Sequence, residues 1–385
     1  MTSMIETNYT VDLGVAELEK MVKQLRASLD ISSGALEPFD FKVAHELYHR
    51  LLSPAEPYLD GVKHLFLVPD GPLESLPFHL LLTEDPDTVS VQGQSDSDQR
   101  GLTQDSGSGQ VAVTGNVHIP WLAQKYAMTT LPSVASLRAL RLFAKKAEAT
   151  EPFIGFGDPV LGDPSSGTKG LNMAAFYRGA VADVNQVRRL SPLPDTETEL
   201  KAIGEYLGAD ESSIYLRERA TETKIKSIRL NNTQVLAFST HGLVSGDLKG
   251  LVEPALVLTP PDQGTEQDDG LLTASEVAQL KLNADWVILS ACNTAAGDKP
   301  GAVGLSGLAK AFFYAGARAL LVSHWPVESH AATALTTTMF EKIKKNPAIG
   351  RAEALRQSML QLASSKDYAH PFFWAPFVVV GEGGM

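Results

Sequence analysis

Between residues 150 and 381 the chain repeats one pattern: a short apolar run, a polar tip, then a stretch of helical periodicity. Strand-like runs fall at 152–156, 213–216, 233–240, 255–258, 284–291, 318–322 and 377–380. Helical spacing of apolar residues falls at 196–207, 221–230, 273–280, 304–315, 329–344 and 349–362. A strand that is apolar at successive positions must be covered on both faces. Alternation of such strands with helices therefore predicts an α/β fold of three layers, a mostly parallel sheet with helices on each side. Ligands of such sheets bind at the carboxyl ends of the strands, so the polar tips are where function is to be sought.

Upstream, helices are predicted at 11–29 and 40–52, then a strand at 64–68 closed by the turn sequence Pro69-Asp70-Gly71. A further helix is expected at 133–147. Residues 83–116 are rich in Ser, Gln, Gly and Asp with little to bury, and read as a flexible surface insertion within a folded region. Residues 1–60 form an N-terminal helical segment. Hydrophobic residues make up 44% and charged residues 20% of the chain, which excludes wholesale disorder. The net charge of −12 argues against direct nucleic-acid binding and against anionic lipid. No run approaches the ~18 apolar residues of a membrane span, and the N-terminus lacks a secretory signal, so a cytoplasmic location is expected.

The single cysteine, Cys292, removes structural disulfides and cysteine-ligated zinc together. It stands at the end of the run 284–291, and His241-Gly242 stand at the end of the run 233–240. In a parallel sheet both tips lie on one edge. An isolated thiol with a pKa of ~8.5 is only a few per cent thiolate at neutral pH, and a neighbouring imidazole raises that fraction. A glycine after the histidine leaves a backbone N–H open to a substrate carbonyl, and with the Cys292 N–H it could form an oxyanion hole. The pattern fits nucleophilic catalysis, although either residue alone would suit a buried strand end.

The segments FSTHG (238–242), DGLLTA (269–274) and VILSACNT (287–294) resemble the CHAT domain family, which belongs with the caspase-like cysteine peptidases, relatives of separases, gingipains and metacaspases. The likeness continues through GLSGLAKAFFYAGARALLVSHWPV (304–327) to HPFFWAPFVVVG (370–381). Upstream it takes in LVPDGPLESLPFHLL (67–81), LPS (131–133), GDP (157–159) and LPDTETEL (193–200). The resemblance implies a caspase-like fold in two halves, a degenerate one at 61–150 and an active one at 151–385. It implies Cys292 as nucleophile, His241 as general base and acid, and the amides of Gly242 and Cys292 as the oxyanion hole. It further implies endopeptidase action on a protein substrate, with no metal or cofactor in the chemistry. Family members work in bacterial defence and signalling assemblies, so an activating partner protein is expected. Many carry tetratricopeptide repeats ahead of the domain, where a short helical segment stands here.

Ser290-Ala291 precede Cys292, where caspases proper have Gln-Ala, so aspartate specificity does not carry over. Asp158, Ser290, Trp325 and Glu328 are candidates for the substrate pocket, and the two acids would favour a basic P1 side chain. Phe372, Phe373 and Trp374 read as part of a closing strand. The stretch 262–269 is acidic and is a candidate regulatory or surface segment. His45-Glu46-Leu47-Tyr48-His49 matches the H-E-x-x-H of zinc peptidases, with Glu74 as a conceivable third ligand, but Arg50 follows the second histidine and a chance match is the better reading. The rival from another class is a catalytically silent CHAT scaffold that binds a partner.

Overall fold

The computed structural model describes residues 6–31, 36–88, 102–104, 111–113, 119–136, 138, 149–162, 177–178, 181–182, 184–245, 251–291 and 307–383. Cys292, residues 293–306, most of the expected helix 133–147 and much of the insertion 83–116 lie outside the described residues. Of that insertion, a turn at Pro86–Thr88 and an antiparallel pair, Leu102–Gln104 with Val111–Val113, are described.

The main sheet has strands β1 His64–Leu67, β2 Ala127–Thr130, β3 Glu151–Gly157, β4 Ile214–Leu216, β5 Thr233–Ser239, β6 Trp286–Ser290, β7 Ala319–Ser323 and β8 Phe377–Gly381. Their order is β1-β2-β8-β7-β6-β5-β3-β4. Every neighbouring pair is parallel except β7 with β8. The expected mostly parallel sheet is present. The last strand of the chain joins it between the strands from residues 61–150 and the other five.

Side chains divide with a period of two. Phe153, Val235, Ala237, Trp286, Ile288, Ala319 and Leu321 enter one core. Ile154, Phe156, Leu236, Phe238, Val287, Leu289, Leu320 and Val322 enter the other. The first core is roofed by α1 Val15–Ala27, α2 Phe41–Leu51, α3 Asp195–Leu207, and, after α4 Gly307–Ala315, by α5 Ser329–Lys345 and α6 Arg351–Ala363. The second is covered by α4 and by the short helices Glu222–Ser227 and Ala274–Val277. Phe238 ties the layers of the second core together, with ring centroids 5.6 Å from Phe156 and 5.6 Å from Phe312. Among the described residues no helix is long and apolar enough to cross a membrane.

One main-sheet strand was not expected, and two local expectations change. Strand β2 carries no strong apolar signal, because Thr129 and Thr130 occupy half of it. Residues 255–257 do not join the main sheet; they form a small antiparallel sheet with Gly242–Leu243 and Leu271–Thr273. Phe372 to Trp374 belong to a helical turn, Pro371–Trp374, and the strand begins only at Phe377. Proline at the first helical position and the His370 ring accepting the Phe372 N–H initiate that turn.

The acidic stretch 262–269 ends in two buried side chains. Asp268 accepts from the Thr223 N–H at 3.0 Å and its hydroxyl at 2.6 Å. The Asp269 and Gly270 amides donate to Glu222 at 2.8 and 2.9 Å, and Lys226 pairs with the same carboxylate at 2.6 Å. Burial outweighs these partners and pushes the Glu222 pKa up to about 7.

Two predictions follow from this packing. A Cβ at Gly157 would stand 2.6 Å from Leu200 Cδ1 and 2.9 Å from the Ser239 carbonyl oxygen, so glycine is what lets α3 lie directly on β3. Gly157→Ala is expected to cost about 1–3 kcal/mol in urea unfolding. For Glu222 the folded-state pKa exceeds the ordinary carboxylate value. Its contribution is therefore full at low pH and is lost as pH rises through about 7. Glu222→Gln keeps an acceptor for the two amides. Between about pH 5 and about pH 8 the wild type should lose about 1–3 kcal/mol relative to this variant in denaturant unfolding, and a constant difference would contradict the assignment.

Candidate active site

The register aligns the tips of three parallel strands. Ser239 of β5 pairs with Gly157 of β3 on one side and with Ser290 of β6 on the other. Two residues beyond Ser239 is His241; two residues beyond Ser290 is Cys292, outside the described residues. Strands β5 and β6 are thus neighbours, and the expected carboxyl edge is real.

His241 is held from both its backbone and its ring. Its carbonyl accepts the Val257 N–H at 2.9 Å, and Thr240 donates its hydroxyl to the Val257 carbonyl at 2.5 Å, so the small sheet fixes the loop. The ring Nε2 lies 2.8 Å from the Ser191 carbonyl oxygen. A carbonyl can only accept, so Nε2 carries the proton and Nδ1 presents the lone pair of the neutral imidazole. Burial lowers the His241 pKa, and the Ser191 bond opposes this in part, so the ring is neutral at neutral pH. Ser191 is exposed and is followed by Pro192 and Pro194, which stiffen the approach to α3. Gly242 is buried and opens the strand pair with 255–257.

Beneath the tips lies a carboxyl group that the sequence pattern did not single out. Glu199 of α3 is 1% exposed and accepts from the Thr336 hydroxyl of α5 at 2.8 Å. Burial raises its pKa, while the hydroxyls of Thr336, Ser239 and Ser290 work the other way. A signal existed: Thr196, Glu199, Leu200 and Ile203 form the buried stripe of α3, and an acid in an apolar stripe needs a buried partner.

The pocket candidates fall in different surroundings. Ser290 is half-buried beside Glu199. Asp158 is 2% exposed, with φ of 41°, and its carboxylate faces Arg217 Nη1 at 3.3 Å. Burial pushes the Asp158 pKa up and Arg217 partly offsets it. Glu328 caps α5, accepting from the amides of His330 and Ala331 at 3.1 and 2.8 Å. Trp325 is 2% exposed in the first core, and its indole N–H donates to the Phe372 carbonyl at 2.9 Å. Both acids therefore have partners within the chain.

On α2 the two histidine rings of H-E-x-x-H stack at 6.1 Å, and the acid and the first histidine have other partners. Glu46 pairs with Arg50 at 2.7 Å, and His45 Nδ1 lies 3.3 Å from the Leu82 carbonyl. Among the described residues no group of three or more His, Cys, Asp or Glu side chains is placed to hold a metal ion.

Tetratricopeptide repeat protein 28 of mouse is 29% identical over 225 residues, and that of man 29% over 229 residues. Each match covers 50% of this chain but only 9% and 8% of the relative, so the chain spans less than a tenth of the length of these curated relatives. Among solved structures, the Arg-specific cysteine proteinase gingipain R is 12% identical, covers 96% of this chain and 74% of its own, and has a TM-score of 0.45. The separase–securin complex of Saccharomyces cerevisiae is 15% identical, covers 66% of this chain and 14% of its own, and has a TM-score of 0.36. The CHAT domain matches residues 42–382, nearly the whole chain, and the protein belongs to that family.

Proposed function

We propose that the chain is a cysteine endopeptidase acting on a protein substrate, with Cys292 as nucleophile and His241 as general base and acid. The observation that carries this reading is the pairing of Ser239 with Ser290 on neighbouring parallel strands, two residues before the histidine and the cysteine respectively. The His241 ring, with Nε2 bonded to the Ser191 carbonyl and Nδ1 bearing the lone pair, has the tautomer such a base needs.

In this mechanism Nδ1 of His241 takes the thiol proton, and the thiolate forms a bond to the carbonyl carbon of the scissile peptide. The amides of Gly242 and Cys292 receive the developing oxyanion. The imidazolium returns its proton to the leaving amine as the C–N bond breaks, giving an acyl-enzyme and the first product. Water, deprotonated by the same imidazole, then attacks the thioester and restores the thiol. Cleavage within a signalling or defence system, controlled by a partner protein, is part of the same proposal.

The test is incubation with candidate protein substrates and a peptidyl electrophile, wild type beside variants. Cys292→Ala should abolish cleavage and labelling, and His241→Ala should lower the rate by about 10²–10⁴-fold. Because burial holds the His241 pKa down, the acid limb of the rate should fall below pH 6.5, the ordinary imidazole value. Cleavage retained in Cys292→Ala would overturn the reading. A wild type that binds partners but neither cleaves nor labels would establish the silent scaffold instead.

A further inference from the structure

The helix α1 lies ahead of the residues matched by the CHAT domain, yet its last turn reaches the tip of β7. Arg26 Nη2 donates to the His324 carbonyl at 2.9 Å and Nη1 to the Ser75 carbonyl at 3.4 Å. Its guanidinium carbon stands 5.2 Å from the centre of the Trp325 ring. The helix is anchored by Met21, Val22 and Leu25 in the first core, so the arginine is delivered from a fixed base. Burial lowers its pKa to about 10, and it stays charged at neutral pH. His324 is gripped on its other side as well, its N–H donating to the Pro376 carbonyl at 2.9 Å.

The residue before His324 faces the candidate nucleophile's strand. Ser323 is fully buried, and its hydroxyl donates to the Ala291 carbonyl at 2.6 Å. A peptide unit is planar, so whatever holds the Ala291 carbonyl constrains the amide that follows it. That amide is the N–H of Cys292, one of the two proposed oxyanion donors.

We propose that Ser323 and Arg26 are positioning residues for this site: Ser323 sets the peptide plane entering Cys292, and Arg26, from the N-terminal helix, holds the segment that carries Ser323. The inference rests on the reading of Cys292 as nucleophile. It makes α1 a working part of the site rather than an appendage.

The chain's single cysteine makes the test specific, because any thiol reagent reports on Cys292 alone. Iodoacetamide alkylates a thiolate without forming an oxyanion; a peptidyl aldehyde adds through one. Ser323→Ala is expected to weaken aldehyde binding and lower kcat about tenfold, short of the ~10²–10³-fold loss of an oxyanion donor itself. The iodoacetamide rate and its pH profile should change less than about twofold, and KM should hardly move. Ser323→Thr, which keeps the hydroxyl, should restore the aldehyde response. Arg26→Met should show the same split more weakly, and Arg26→Lys should recover part of it. Thermal melts identify a variant that fails to fold, in which case the other position decides. If both Ser323→Ala and Arg26→Met treat the two reagents as wild type does, the positioning inference falls while the peptidase reading stands. If the wild type binds no aldehyde and cleaves nothing, the peptidase reading falls and takes the inference with it.

Discussion

The central strands β3, β5 and β6 are apolar on both faces, and that constraint organises the molecule. A two-faced apolar strand cannot sit at a surface, so helices must cover both sides and the backbone must be paired on both edges. β5 lies between β3 and β6, and β6 between β5 and β7. The consequence is a rigid platform whose strands end in register on one edge. Large rings fill one core, with Phe156, Phe238 and Phe312 in a row. Small residues at Gly155 and Gly157 let Leu200 of α3 pack against the other face. Chemistry can be held accurately at the edge because the platform behind it has no room to move.

The edge itself is polar, and burying polar atoms is expensive unless they are paired. Most of the pairing is done across elements distant in sequence. Thr336 of α5 serves Glu199 of α3, Thr196 of α3 accepts the Asp158 N–H at 2.8 Å, and Ser323 of β7 serves Ala291 beyond β6. The Ser191 carbonyl, exposed on the approach to α3, fixes the His241 ring. These bonds act together to hold the strand tips at fixed spacing, and each gains from the low local dielectric. Buried carboxyl groups such as Glu199 and Asp158 are tolerated because hydroxyls lie beside the first and an arginine beside the second, with pKa values raised all the same.

Much of this was legible in the chain. The central strands β3, β5, β6 and β7 fall within a residue or two of the apolar runs, and α3, α5 and α6 match their helical periodicity, because burial leaves a periodic mark on sequence. The polar tips and the segments around His241 and Cys292 carried the family. Weakly patterned elements were lost: β2 is half threonine, one on each face, and the strand 255–257 has the composition of a main-sheet strand but pairs elsewhere. Pro371–Trp374 has the aromatics of a strand, and a proline with a histidine cap turns it into a helix.

By itself the sequence determined the layers, the approximate elements, the membership of the CHAT domain family and the two tips worth examining, since each depends on local pattern or on motif. Tertiary structure alone decided which strands are neighbours, that Ser239 stands beside Ser290, and that the C-terminal strand enters the sheet antiparallel to β7. It also decided that Asp158 is paired to Arg217, that Trp325 is core, that Glu199 lies under the tips, and that Arg26 reaches His324 from the other end of the chain. Those facts depend on backbone pairing and side-chain contact between residues up to 298 positions apart, and local periodicity carries no record of a partner that distant.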